Sequence, residues 1–196
     1  MKQSCQIVWF KRDLRIIDHK PLLEASKTNI PILPVYIFET DYWKEPFASK
    51  RHWYFIHDCL LDLKRDISNM KAELLIFKSD AISFFELIKE KYNLKSIFAH
   101  EETSNSWTYK RDMNVMNWCS ENNVNFFQYP TNGVIRKLND RNNWSSLRNK
   151  RMSENVFEVP KILNQLKHSI KSITVEKEDL IFSKEKIFVY QKGGRQ

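Results

Sequence analysis

Apolar positions along the first 130 residues fall into two alternating kinds of pattern. Short β-branched and aromatic runs occur at 6–10 (QIVWF), 32–38 (ILPVYIF), 73–77 (ELLIF), 96–99 (SIFA) and 124–128 (VNFFQ), which have the length and make-up of strands. Between them the apolar residues recur at helical spacing. The clearest set is Trp53, Ile56, Leu60, Leu63, Ile67 and Met70, which predicts one apolar stripe facing the core on a helix of about twenty residues. Shorter helices are expected over 19–26, over 81–91 with Asp80 as N-cap and Phe84, Phe85, Leu87 and Ile88 inward, and over 108–122 with Met113, Met116 and Trp118 inward.

Five strands separated by helices require parallel pairing with right-handed crossovers, because a tight turn cannot reach a parallel neighbour. The expected fold class is therefore α/β: a doubly wound, Rossmann-like five-stranded parallel sheet in the order 3-2-1-4-5, followed by an extended linker. In such sheets the ligand crevice opens at the carboxyl ends of the strands where the winding reverses, here between the first strand and the fourth. That singles out the loops 11–18 and 100–106.

After Pro130 the alternation stops. Residues 136–151 hold Arg136, Lys137, Arg141, Arg148, Lys150 and Arg151 against one acid, Asp140, with Trp144 among them. Beyond Pro160, short amphipathic pieces such as 162–166 and a Lys/Glu-rich stretch lead to the closing Gly193-Gly194-Arg195-Gln196. The expected division is an α/β domain at 1–132 and a linker at 133–196. A segment of that length without its own core packs on something else or leads into it, so the chain is expected to stop at a domain junction.

Composition narrows the chemistry. An apolar share of 42% over 196 residues is enough for a packed core and argues against disorder. The only glycines are Gly133, Gly193 and Gly194, so neither GxGxxG nor a P-loop can be written anywhere. A net charge of +8 favours anionic partners, nucleic acid ahead of an acidic membrane, or serves solubility alone. The longest apolar run, 32–38, contains a proline and is far short of the roughly 20 residues a spanning helix needs. With no secretory leader pattern at the start, a cytoplasmic protein without a membrane partner is expected. Cys5, Cys59 and Cys119 have neither disulfide nor zinc spacing and read as buried thiols.

Three stretches carry candidate chemistry. Lys11-Arg12-Asp13-Leu14-Arg15-Ile16-Ile17-Asp18-His19 leaves the first strand with three cations and two carboxylates, and reads either as an anion-attracting loop or as a self-satisfied turn in which Arg12 and Arg15 pair with Asp13 and Asp18. His19 beside Asp18 has the look of a base with its orienter, but no nucleophile accompanies it, and a helix-start histidine is the stronger reading. His100-Glu101-Glu102, being consecutive, cannot all face one ion and read as a polar pocket rim, with Trp107 and Tyr109 beyond them as stacking faces or ordinary packing aromatics. The basic stretch 136–151 suits nucleic-acid backbone contacts and a solvated linker equally, and is read as linker.

Residues 8–22, Val8-Trp9-Phe10-Lys11-Arg12-Asp13-Leu14-Arg15-Ile16-Ile17-Asp18-His19-Lys20-Pro21-Leu22, resemble the amino-terminal signature WFRxDLRxxDNxAL of the DNA photolyase and cryptochrome family. Further likenesses follow in order: 34–38 as the second strand, Ser49-Lys50-Arg51 opening the long second helix, Arg111-Asp112 in the fourth helix, Gly133-Val134-Ile135 as the loop after the sheet, and Gly193-Gly194-Arg195 as the link before a helical flavin domain. The resemblance implies a two-domain flavoprotein whose helical domain, absent from this chain, holds FAD and the DNA lesion, while the α/β domain serves an antenna chromophore. It implies light-driven repair of pyrimidine dimers as the parent activity, DNA as the parent protein's partner, and no catalytic residue in this chain. The alternatives are a blue-light photoreceptor and a stand-alone module for a nucleotide-like small molecule. Counted back from Arg111-Asp112, the folate-binding Asn-Glu pair of some members falls on Trp107-Thr108, and the Asp and Glu of deazaflavin binders fall on Thr103 and Asn105, so neither antenna pattern is kept. The implied cofactor-binding set is Phe38, Arg51, His100, Glu101, Glu102, Asn105 and Trp107, for an antenna of unknown identity.

Overall fold

The computed structural model describes residues 1–136, 138–180 and 191–194. Lys137, Arg195 and any part of the Lys/Glu-rich stretch within 181–190 lie outside the described residues. Strand β1 (Ser4–Phe10) is followed by helix α1 (Lys20–Ser26), β2 (Ile32–Phe38), α2 (Lys50–Asn69), β3 (Leu75–Lys78), α3 (Ala81–Lys91), β4 (Asn93–His100), α4 (Ser106–Glu121), β5 (Asn125–Tyr129) and α5 (Trp144–Met152). All four pairings are parallel, and the order is β3-β2-β1-β4-β5. The expected α/β sheet and strand order are thus present, with the reversal between β1 and β4.

Strands β1 and β2 are covered on both faces, as parallel strands must be. Alternate residues then feed two cores. Val8 and Phe10 join Leu22 of α1 and Trp53, Leu60 and Leu63 of α2 on one face, while Ile7 and Trp9 join Phe84 and Phe85 of α3 and Val115 and Trp118 of α4 on the other. The six-residue stripe from Trp53 to Met70 is wholly buried. Helix α3 starts where expected, with the Asp80 side chain accepting from Ser83 N at 2.9 Å.

Two expectations need correcting. Helix α4 begins at Ser106, capped by Asn105 and Thr108 in a reciprocal pair, and its inward stripe is Thr108, Asp112, Val115 and Cys119, with Trp118 beside it. Met116 therefore points out, because polar Thr108 and Asp112 find bonding partners inside and take the buried phase. The segment after residue 158 is not simply extended chain. It straps the sheet: Ile32 N donates to Asn164 O and Leu166 N to Ile32 O, both at 2.7 Å, and Ile173 N donates to Ile76 O on the β3 edge at 2.9 Å. The strap has no core of its own because it lends Leu163 and Val175 to one layer and Leu166 to the other. No helix among the described residues is long and apolar enough to cross a membrane.

Candidate functional site

The loop after β1 turns into the reversal crevice and is tied there by one carboxylate. Asp13 Oδ1 accepts from Lys11 N at 3.1 Å, while Oδ2 meets His19 Nε2 at 2.7 Å and His100 Nδ1. His19 caps α1, its Nδ1 accepting from Leu22 N at 3.1 Å, which leaves the ring hydrogen on Nε2 to be donated to Asp13. All three side chains are buried, and the two rings meet edge to face at 4.5 Å. Among the described residues these are also the one trio of ligand-type groups close enough to share an ion, within 4.8 Å of one another. Metal binding at His19 Nε2 would move its hydrogen to Nδ1 and break the helix cap, so the donor set fits a structural tie better than a cation.

The expected pairing of Asp13 with the loop arginines is accordingly replaced. Asp13 serves the histidines, Arg12 reaches Glu102 at 3.3 Å, and Arg15 Nη2 stays near Asp18 Oδ2 at 3.8 Å. Asp18, at φ +54°, exchanges bonds with the backbone of Phe157 and does not orient His19.

Beside the tie lies a buried ionic network. Lys11 Nζ pairs with Asp112 at 2.6 Å, and Arg111 contacts Glu39 at 2.7 Å, Asp112 at 3.0 Å and Glu102 at 3.5 Å. The Arg111 guanidinium stands between two indoles, 4.8 Å from Trp9 and 5.8 Å from Trp107. Gln128 Nε2 donates to Asp112 Oδ2 at 3.2 Å. Lys11, Arg12 and Arg111 balance Glu39, Glu102 and Asp112, so the loop's cations are spent internally and the crevice is not an anion trap. Burial pushes the Lys11 ammonium down against the pull of Asp112, and pushes Glu39 up against the pull of Arg111.

The acid limb of stability follows from the tie. Burial holds His19 below its ordinary 6.5 in spite of Asp13; burial alone would raise Asp13, but the hydrogen bonds from His100 and His19 hold it well below its ordinary 3.8. The unfolded chain protonates first at both groups, so stability present above pH 6.5 erodes as pH falls from there, and further below 3.8. The urea midpoint is expected to drop already between about pH 6.5 and 5. A midpoint flat down to pH 5 would contradict the protonation states assigned.

Of the implied cofactor residues, His100, Glu101 and Glu102 line one cleft together, as a polar rim would, and Phe38, Arg51, Asn105 and Trp107 do not border it. His100 is in the tie and Glu102 in the network, Asn105 caps α4, and half-buried Glu101 lines a polar cleft of about 190 Å3 with Arg12, Arg15, Thr131 and Asn132. Trp107 packs on Tyr42 at 5.4 Å and lines a cleft of about 300 Å3 with Glu39, Lys110, Arg111 and Asn114, beside the start of α3. Phe38 lies in the core against Trp53 at 5.1 Å, and Arg51 is exposed on α2; neither borders these clefts. The crevice between β1, β2 and α4 is filled by Tyr42, Trp43, His52 and Arg111 to a remaining cavity of about 30 Å3, which is room for about one water. Glu39, Tyr42 and Trp43 are site residues that sequence reasoning did not single out. Glu39 had a signal, a carboxylate directly after a fully apolar strand.

Comparison with known proteins agrees with the fold. The sequence pattern of the family described as DNA photolyase matches residues 6–143. A cryptochrome DASH, chloroplastic/mitochondrial, of Solanum lycopersicum is 34% identical over 103 residues, which cover 50% of this chain and 18% of that protein. Among solved structures, a cryptochrome of Synechocystis aligns with TM-score 0.75 at 18% identity, over 99% of this chain and 44% of that one. An archaeal photolyase from Sulfolobus tokodaii, solved with two FAD molecules, aligns with TM-score 0.64 at 22% identity, over 83% of this chain and 37% of that one. At these identities the two structures attest the fold alone, and the chain spans less than half the length of each of these relatives. Because the family pattern extends over well over half of its residues, the chain belongs to the DNA photolyase family.

Proposed function

We propose that this chain is the amino-terminal α/β part of a photolyase-like flavoprotein whose activity is light-driven repair of pyrimidine dimers in DNA. In this reading residues 1–132 form the domain, 133–196 lead toward a helical domain that binds FAD and DNA, and this part supplies architecture and a seat for an antenna chromophore. The observation that carries it is the fate of the signature loop. Its charged residues are consumed in the Asp13–His19–His100 tie and in the balanced network around Arg111, which position β1, α1, β4 and α4 and leave the loop a structural element.

A flavin-sized antenna does not fit the main crevice, where Tyr42 and Trp43 leave about 30 Å3. The Trp107 cleft, at about 300 Å3, reaches the lower range of small-molecule pockets, which run from roughly 300 to 1,000 Å3. It offers a flat indole face for a heterocycle and the Lys110 ammonium for an anionic substituent. Trp107 is thus the member of the implied set that would touch a chromophore directly. Glu102 would act on it through Arg111, and His100 through the loop; Asn105 would act by capping the helix that carries Trp107.

The test is blue-light repair of an oligonucleotide carrying a thymine dimer. The longest natural polypeptide that contains this sequence is expected to copurify with flavin and repair the dimer, and the 196-residue chain alone to do neither. A polypeptide without flavin absorbance or repair would overturn the reading, as would repair by the isolated chain.

A further inference from the structure

The segment between β5 and the strap is not absorbed by the crevice. Helix α5 buries none of its nine residues, and every position from 141 to 150 is exposed. A helix this short is marginal in water unless something holds it. Two arginines do part of that work. Arg151 Nη1 donates to Val134 O at 2.6 Å and to Asn132 O at 3.3 Å, and the Arg148 stem passes so close to Gly133 that a Cβ there would meet its Cγ at 2.8 Å. The helix is thus pinned to the loop after β5 by basic side chains, with its outer face open.

That face is strongly one-signed. Among the described residues, none of Arg136, Arg141, Arg148, Lys150 and Arg151 has a carboxylate within 4 Å, whereas the crevice cations are all paired. The nearby acid Asp140 spends its oxygens on Asn142. Two large aromatics stand in the same region exposed to solvent: Trp144 is 42% exposed, and Tyr109 is 45% exposed with the Arg136 guanidinium 5.8 Å over one side of its ring. Uncompensated cations interleaved with exposed rings are the chemistry of a backbone-tracking, base-stacking surface. A purely apolar or acidic-helix partner would leave either the charges or the rings without use.

We propose that helix α5, with Arg136 and Tyr109 beside it, is a docking surface for single-stranded nucleic acid, its cations on phosphates and Trp144 stacked on a base. The surface is separate from the crevice and needs no cofactor, so the proposal does not depend on the flavoprotein reading.

The experiment titrates the 196-residue chain into a fluorescein-labelled oligothymidylate of about twenty nucleotides at several salt concentrations. With Arg136, Arg141, Arg148 and Lys150 on phosphates, affinity is expected to fall about fifty-fold between about 50 and 200 mM salt. The pair Arg148→Gln and Lys150→Gln is expected to reduce that fall to about seven-fold. Trp144→Ala is expected to weaken binding about ten-fold with the salt dependence unchanged, since stacking moves no counterions. Because α5 contributes nothing to the core, melting temperatures should hold in both variants. As a control for overall charge, Lys91→Gln with Lys95→Gln removes two exposed cations at the amino end of β4, the opposite end of the strands from α5, and should leave the salt dependence as it was. Absence of binding at about 50 mM salt, as expected if the face serves a protein partner, would overturn the proposal. So would equal effects of the control pair and the α5 pair.

Discussion

Replacing Arg111 by alanine is expected to destabilise the chain by about 3–5 kcal/mol, the loss typical of removing one partner from a buried ion cluster. Glu39, Glu102 and Asp112 have side chains 8%, 5% and 2% exposed, and all three contact the Arg111 guanidinium. Lys11 still serves Asp112 in the variant, and half-exposed Arg12 serves Glu102, but Glu39 loses the cation that opposes its burial. Its pKa, already raised by burial, then climbs further. A carboxyl whose folded pKa lies above its unfolded value costs nothing at low pH and progressively more as pH rises past about 4.5. The gap between the variant and the parent chain should therefore widen from about pH 4 to pH 7 in urea titrations. Arg111→Lys is expected to recover part of the loss, because an ammonium keeps the charge but lacks the planar fork that reaches the carboxylates while the guanidinium carbon sits over the Trp9 and Trp107 rings. A loss below about 1 kcal/mol, or a gap independent of pH, would show that the network is not what holds α4 to the sheet.

The second large effect belongs to Asp13. Asp13→Ala strands three buried donors, Lys11 N, His19 Nε2–H and His100 Nδ1–H, and at about 1–3 kcal/mol for each unsatisfied group the expected loss is about 3–9 kcal/mol. Asp13→Asn separates geometry from charge. Both rings bond Oδ2 and the backbone bonds Oδ1, so an amide, with one oxygen and one NH2, must set its NH2 against a donor in either orientation. Asparagine should recover little more than the packing, and the acid limb that begins near pH 6.5 should persist in both variants, because burial still holds His19 low and the carboxylate that opposed it is gone. Near-parental stability in Asp13→Asn would mean that the histidines take other tautomers and that the His19 cap on α1 is expendable.

What could be foreseen from the residues, and what could not, divides along physical lines. The Trp53–Met70 stripe and the Asp80 cap were legible because helical period and N-capping are local. Parallel pairing followed from the helices between the strands, and the order 3-2-1-4-5 from the usual doubly wound arrangement with one reversal. The phase of α4 was misread because large apolar residues were assumed to face inward, whereas Thr108 and Asp112 take the buried phase once Asn105, Lys11 and Gln128 satisfy them. The tie at Asp13 joins residues 87 positions apart, which no local pattern announces. Among the candidate site residues, Glu102 and His100 reach the crevice region because β4 ends there. Tyr42, Trp43 and Glu39 escaped notice because they follow β2, which borders the crevice from the other side.

The strap also bears on the order in which the molecule is put together. Its bonds to Glu73, Ile76 and Trp53 span 92, 96 and 124 positions of chain, so closing them early would cost far more loop entropy than pairing neighbouring strands. The β3 rim and the long second helix must already be in place to receive it. The strap should therefore be the last described segment to dock during folding, and the first to let go when the protein is pulled from its carboxyl side.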